Sequence, residues 1–118
     1  MHELSLAEKI NHTIKTLCER SDWTRVRRVI LKVGRMRQVD PELLSFAFGV
    51  MSKGTVSEGA EVFIMELPIV FKCHSCGSET SSEATVFACG SCGGTNVELR
   101  SGMELNIESM EVESRQVL

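Results

Sequence analysis

Apolar residues recur at helical spacing over residues 4–20, where Leu6, Ala7, Ile10, Ile14, Leu17 and Cys18 share one face. This predicts an amphipathic helix that Ser21 and Asp22 bring to an end, with His12 on the opposite, solvated side. The period then drops to two. Val29, Leu31 and Val33 alternate with Ile30 and Lys32, which predicts a strand over residues 25–35. Asp40-Pro41 is a helix start, a capping carboxylate followed by proline at the first helical position. This helix should run to about Lys53, with Gly54 placed to stop it. Its residues Leu43, Leu44, Phe46, Ala47, Phe48, Val50 and Met51 are apolar nearly all round, so deep burial is expected. A second strand is predicted over residues 61–70, with Phe63, Met65 and Leu67 on one face and Val62 and Ile64 on the other. A third follows over residues 103–112. There Met103, Leu105 and Ile107 alternate with Glu104, Asn106 and Glu108, and the parity switches after Ser109 to Met110 and Val112, as a one-residue bulge would cause.

Between the last two strands the pattern gives way to cysteines. Cys73/Cys76 and Cys89/Cys92 form two Cys-x-x-Cys pairs, each followed at once by glycine, Gly77 and Gly93. Side chains at i and i+3 on a tight turn can grip one tetrahedral ion, and two such turns supply the four thiolates of a closed structural zinc site. Glycine permits the sharp turn, and backbone N–H groups there can point at the sulfurs. Such a site has no open position for substrate. A disulfide framework fits less well. Five cysteines is an odd number, and four of them sit too close in sequence to staple distant segments. Iron in a rubredoxin-like site is the alternative occupant, separable from zinc by its colour. The interval of 12 residues between the pairs (77–88) suits a compact ribbon with one short hairpin. The architecture that follows is α+β: a small three-stranded sheet with two helices, formed by residues 1–68 together with 101–118. A zinc-ribbon-like module on two CxxC knuckles is inserted over residues 69–100. Phe71 and Phe87 are its candidate minimal core.

The length of 118 residues allows one small domain plus a metal-stapled one. A formal net charge of −3 argues against a general nucleic-acid binder. Within residues 69–100, Lys72 and Arg100 face Glu79, Glu83 and Glu98, so a zinc-ribbon nucleic-acid or transcription module, the competing reading, would attract phosphate poorly. The start carries His2 and Glu3 rather than a basic stretch before an apolar one, and no apolar run approaches a membrane span, so a cytoplasmic chain with reduced thiols is expected. No phosphate-cradling loop and no Ser/His/Asp set is present, and an enzyme is not read here. Cys18 reads as a small core side chain, with oxidative dimerisation as its other reading. His74, inside the first knuckle, reads as an exposed turn residue, or as a substitute ligand under changed pH or metal load. Arg25, Arg27, Arg28, Lys32, Arg35 and Arg37 gather positive charge around the first strand, either as a solvated face that blunts a sheet edge or as a dock for an acidic partner.

The opening Met1-His2-Glu3 offers different donors. A terminal amine, the amide nitrogen of residue 2 and its imidazole can chelate one ion in small rings, and a deprotonated amide suits square-planar Ni(II) or Cu(II). Glu3 can add a carboxylate or its own amide nitrogen, or can simply be a helix-start carboxylate facing the dipole.

A chain of this length beginning Met1-His2-Glu3-Leu4-Ser5, with Val39-Asp40-Pro41-Glu42-Leu43 in its middle and two Cys-x-x-Cys pairs behind, resembles the HypA/HybF family of nickel metallochaperones for [NiFe]-hydrogenase maturation. The resemblance spans essentially the whole chain. It implies His2 as principal nickel ligand, with Met1 through its amine and Glu3 beside it, and Asp40 near the site as ligand or as helix cap alone. It implies Cys73, Cys76, Cys89 and Cys92 as the zinc ligands. It implies zinc as structural cofactor and nickel as transient cargo, passed to a hydrogenase large-subunit precursor. The partners it implies are a GTP-hydrolysing nickel-insertion protein and, in some related proteins, urease accessory proteins, with neither nucleic acid nor membrane.

Overall fold

The computed structural model describes residues 2–82 and 87–114. Helix α1 spans His2–Ser21, two residues earlier than the apolar pattern alone suggests, with Glu3 in its first turn and Arg20 in its last, each suited to the helix dipole. It buries Leu6, Ala7, Ile10, Ile14 and Cys18. The chain reverses through Asp22 at φ 60 into strand β1, Trp23–Gly34, which buries Val26, Val29, Leu31 and Val33. A short 3-10 turn, Arg35–Arg37, leads to helix α2, Pro41–Met51. Its N-cap is Asp40, whose Oδ1 accepts from the N–H groups of Glu42 (3.0 Å) and Leu43 (3.3 Å).

Helices α1 and α2 pack side by side in the same direction. Near their starts the Glu3 carboxylate accepts from the Asp40 N–H, and further along the Asn11 amide donates to the Met51 carbonyl at 2.8 Å. Helix α2 is not buried all round, as its composition suggests. Leu44, Ala47 and Phe48 are buried, but Leu43, Phe46 and Val50 stay 38%, 69% and 45% exposed. One stripe packs inward, and composition cannot show that nothing in the described residues covers the other.

Strand β2, Glu61–Leu67, β1 and strand β6, Leu105–Ser114, form a sheet in the order β2-β1-β6. In β6 the half-buried residues are Leu105 and Ile107, then Met110 and Val112, with Glu108 and Ser109 both exposed. The parity switch read from the sequence is therefore present. The strand expected over residues 61–70 stops at Leu67 instead. Pro68 has no N–H for a ladder, and the chain starts afresh as strand β3, Ile69–Cys73, in a different sheet.

That sheet has the order β4-β3-β5, with strand β4, Glu79–Ser82, and strand β5, Val97–Ser101, both antiparallel to β3. Phe71 faces Thr80 on one side and Leu99 on the other. Ile69, Phe71 and Cys73 alternate as buried residues, and the Phe71 ring lies 5.0 Å from that of Phe87 in a tilted pair.

By packing, the chain divides into two compact units: Met1–Leu31, Val39–Met65 and Asn106–Leu118 in one, Lys32–Gln38 and Glu66–Leu105 in the other. The second therefore takes in the end of β1. Gly34 and Met36 donate to the carbonyls of Glu104 (2.8 Å) and Gly102 (2.9 Å), and Arg37 Nε donates to the Met103 carbonyl at 2.7 Å. Gly34 is required there, because a Cβ would lie 2.0 Å from the Gly102 carbonyl. The Glu104 carboxylate closes the same turn, accepting from Ser101 Oγ at 2.6 Å and Gly102 N at 2.8 Å, and these bonds hold its pKa below the usual carboxylate range. Among the described residues no helix is long and apolar enough to cross a membrane.

Candidate metal centre

Cys73, Cys76, Cys89 and Cys92 converge, their sulfurs all within 4.8 Å of one another. The two pairs reach the centre through equivalent turns. Gly77 N donates to Cys73 O and Gly93 N to Cys89 O, each at 2.9 Å, with the glycines at φ 78 and φ 72. Those angles are the left-handed ones that glycine adopts without strain. Each turn is closed again from the side: Cys73 N donates to Ser78 O at 2.9 Å and Cys89 N to Gly94 O at 2.8 Å. The first cysteine of each pair is buried and the second exposed.

Sulfur–sulfur distances test the donor set. Cys73 Sγ lies 3.7 Å from Cys92 Sγ, and Cys76 Sγ lies 3.5 Å from Cys89 Sγ. A tetrahedron with metal–sulfur bonds of about 2.3 Å has edges of about 3.8 Å, so the cage already has the dimensions of one metal ion. Backbone donors point at the sulfurs. Ser91 N and Cys92 N approach Cys89 Sγ at 3.3 and 3.5 Å, and Gly94 N approaches Cys92 Sγ at 3.4 Å. The N–H groups of Cys92 and Ser91 pull the Cys89 thiol down to about 6. Those of Cys76 and Ser75 act the same way on Cys73. At Cys92 the Gly94 N–H also pulls down, but the crowded sulfurs of Cys73, Cys89 and Cys76 outweigh it and push the thiol up to about 11. Four sulfurs this close cannot all ionise without a cation among them, which is the electrostatic signature of a metal cage.

The second candidate site is read at the start of the chain. Met1 lies outside the described residues. His2 is exposed and opens α1, and its Nδ1 lies 3.9 Å from Glu3 Oε2. The same Glu3 oxygen accepts from Asp40 N at 3.1 Å. That bond is the chief reason the Glu3 carboxyl sits below its ordinary pKa of 4.5. The structure thus brings His2, Glu3 and Asp40 together, with Glu3 as a strap between the two helix starts and Asp40 Oδ1 engaged as the cap of α2. Sequence reasoning missed this strap. Residues 3 and 40 are too far apart for any periodicity to link them.

Other candidates have plain surroundings. His74 Nε2 lies 3.5 Å from Glu98 Oε2, which Arg100 also approaches at 3.8 Å. Cys18 is buried, and burial raises its thiol pKa. His12 is exposed, its backbone carbonyl accepting from the Thr16 hydroxyl. The basic residues around β1 are largely met by glutamates: Arg25 and Arg27 by Glu113, Arg28 by Glu61 and Glu111, Arg35 by Glu66. Arg28 also lies over the Phe63 ring, 5.2 Å from its centre.

The family model described as "Hydrogenase/urease nickel incorporation, metallochaperone, hypA" matches residues 1–112. The hydrogenase maturation factor HypA of Trichormus variabilis is 37% identical over 113 residues, covering 96% of each chain. That of Rhodobacter capsulatus is 37% identical over 112 residues, covering 95% of this chain and 99% of its own. The solution structure of the nickel metallochaperone HypA from Helicobacter pylori, 21% identical, shares the fold with a TM-score of 0.72 over 98% of this chain and 100% of that one. With the four-cysteine metal site in place and the family match running over residues 1–112, the chain belongs to the HypA family of nickel metallochaperones for hydrogenase maturation.

Proposed function

We propose that the chain binds one Ni(II) at its N-terminus and delivers it to the hydrogenase large-subunit precursor, while zinc in the cage of Cys73, Cys76, Cys89 and Cys92 holds the second unit together. The observation that carries this reading is the contrast between two donor sets. Four convergent sulfurs with backbone N–H support form a closed cage that suits a resident soft-ligated ion. An exposed imidazole at the first turn of a helix suits a cargo ion that must leave. The first N–H groups of a helix have no partner in its ladder, so the His2 amide is open to deprotonation and coordination. The Met1 amine, that amide and the His2 imidazole then make a nitrogen set that suits Ni(II). Glu3 acts through its strap to Asp40, which sets the direction in which His2 leaves the helix. Asp40 serves the site as the capping anchor of that strap.

The reading is one of delivery rather than catalysis. It places the chain in the cytoplasm, beside a GTP-hydrolysing insertion protein that receives or directs the ion. Urease accessory proteins are further candidate clients. Copper would bind the same nitrogens more tightly, so selectivity rests on metal supply and handover.

Calorimetric titration of Ni(II) into protein with a free N-terminus tests the site. One equivalent should bind tightly, His2→Ala should remove it, and one residue added before Met1 should weaken it severely. Affinity should fall as pH drops, because the donors must shed protons. Unchanged binding in His2→Ala would refute the site.

A further inference from the structure

A cleft of about 400 Å³ opens in the first unit, where the end of α1, the start of β1 and the loop after α2 come together. Its volume falls within the roughly 300–1,000 Å³ of small-molecule sites. Lys15, Glu19 and Asp22 give it charge, and the half-buried Trp23 and Val56 with the buried Cys18 give it an apolar lining. Among the described residues nothing answers those charges. Lys15, Glu19 and Asp22 join no ion pair or side-chain hydrogen bond, and the Trp23 indole N–H has no acceptor. By contrast, Arg25, Arg27 and Arg28 on the neighbouring strand all meet glutamates.

Two of these charges stand where the fold disfavours them. Glu19 lies in the last turn of α1 and Asp22 directly follows the helix, at the end where carbonyls lack partners and the dipole is negative. Asp22 also has φ 60, a left-handed position that glycine or asparagine fills more easily at a helix end. Arg20 offsets part of this charge from the same turn, but it does not line the cleft. Two carboxylates and a helix C-terminus together favour a cation, and the face of an indole attracts one as well. The apolar lining suits an organic body rather than a hydrated metal ion, which takes oxygen donors all round. We propose that this cleft binds a small organic cation, a primary amine with a hydrocarbon body. Its ammonium meets Glu19, Asp22 and the end of α1, its hydrocarbon lies against Trp23 and Val56, and Lys15 opposes it. Glu19 is about 25 Å from His2 along α1, so the site goes beyond nickel delivery and does not depend on it.

Trp23 is the only tryptophan of the chain, so its fluorescence reports on the cleft directly. Butylamine, isopentylamine and phenethylamine are titrated into the full, metal-loaded chain beside butanol, isopentanol and phenethyl alcohol, which share their bodies and lack the charge. At least one amine should shift the emission saturably with a Kd of about 1 mM or below, and its alcohol should bind at least about tenfold more weakly. Glu19→Gln and Asp22→Asn should each weaken the amine about threefold or more, and Lys15→Met should tighten it. Asp22→Asn should also raise the melting temperature of the free chain, since asparagine suits the left-handed position and brings no charge. That separates loss of binding from loss of fold. No saturable response to any amine overturns the proposal, as does an alcohol that binds as well as its amine, or an amine indifferent to both carboxylate exchanges. Leucine, which is isopentylamine carrying a carboxylate, should bind more weakly than isopentylamine. Tighter binding of leucine would mean that Lys15 receives a carboxylate, and would overturn the assignment of a simple cation.

Discussion

Asp40 serves two neighbours at once. Its Oδ1 caps α2 through Glu42 and Leu43, and its own N–H is held by the Glu3 carboxylate. The cap was legible, because Asp-Pro announces a helix start by local chemistry alone. The strap was not, because it depends on how two helices pack. Asp40→Ala should cost about 1 kcal/mol of stability, read as a lower melting temperature. The strap has a pH dependence whose sign follows from Glu3. Folding lowers its pKa below the ordinary 4.5, so its contribution is present above that value and disappears as pH falls through the folded pKa. The difference in melting temperature between wild type and Glu3→Gln should therefore be largest near neutrality and shrink in acid. A difference that grew in acid would mean that Glu3 acts otherwise.

Helices and strands came through the hydrophobic pattern where burial is one-sided, and failed where it is not. The stripe Leu6, Ala7, Ile10, Ile14 and Cys18 is the buried face of α1, and Val29, Leu31 and Val33 are the buried face of β1. Helix α2 misled, because an apolar residue looks the same in sequence whether it faces the core, as Phe48 does, or solvent, as Phe46 does. The break at Pro68 did not show in the hydrophobic pattern, since the change of sheet is a fact of pairing. The role of Gly34 needed three dimensions as well, for its neighbour Gly102 comes from far along the chain. Gly34→Ala forces a methyl into the Gly102 backbone and should cost about 3 kcal/mol, measured by denaturant unfolding. Gly49→Ala, on open helix, should instead stabilise the chain by about 0.5–1 kcal/mol.

At the scale of the whole chain, the N-terminal Met1-His2-Glu3-Leu4-Ser5, the central Val39-Asp40-Pro41-Glu42-Leu43 and the two Cys-x-x-Cys pairs together anticipated the family, because each works through local spacing that folding preserves. The cage geometry follows from two turns of the same kind, and the family match over residues 1–112 agrees with it. If the resident ion builds the second unit, Cys73→Ser should leave that unit unfolded by circular dichroism while α1 and α2 persist, since metal binding supplies much of its folding energy. A fully folded variant would show that the ion is dispensable to the fold. The claim on which the account rests is that two metals occupy two chemically different sites. X-ray absorption at the nickel and zinc edges of one doubly loaded sample tests it most directly. The account predicts nickel surrounded by nitrogen and oxygen with an imidazole signature, and zinc surrounded by four sulfurs. Nickel–sulfur scattering would contradict it.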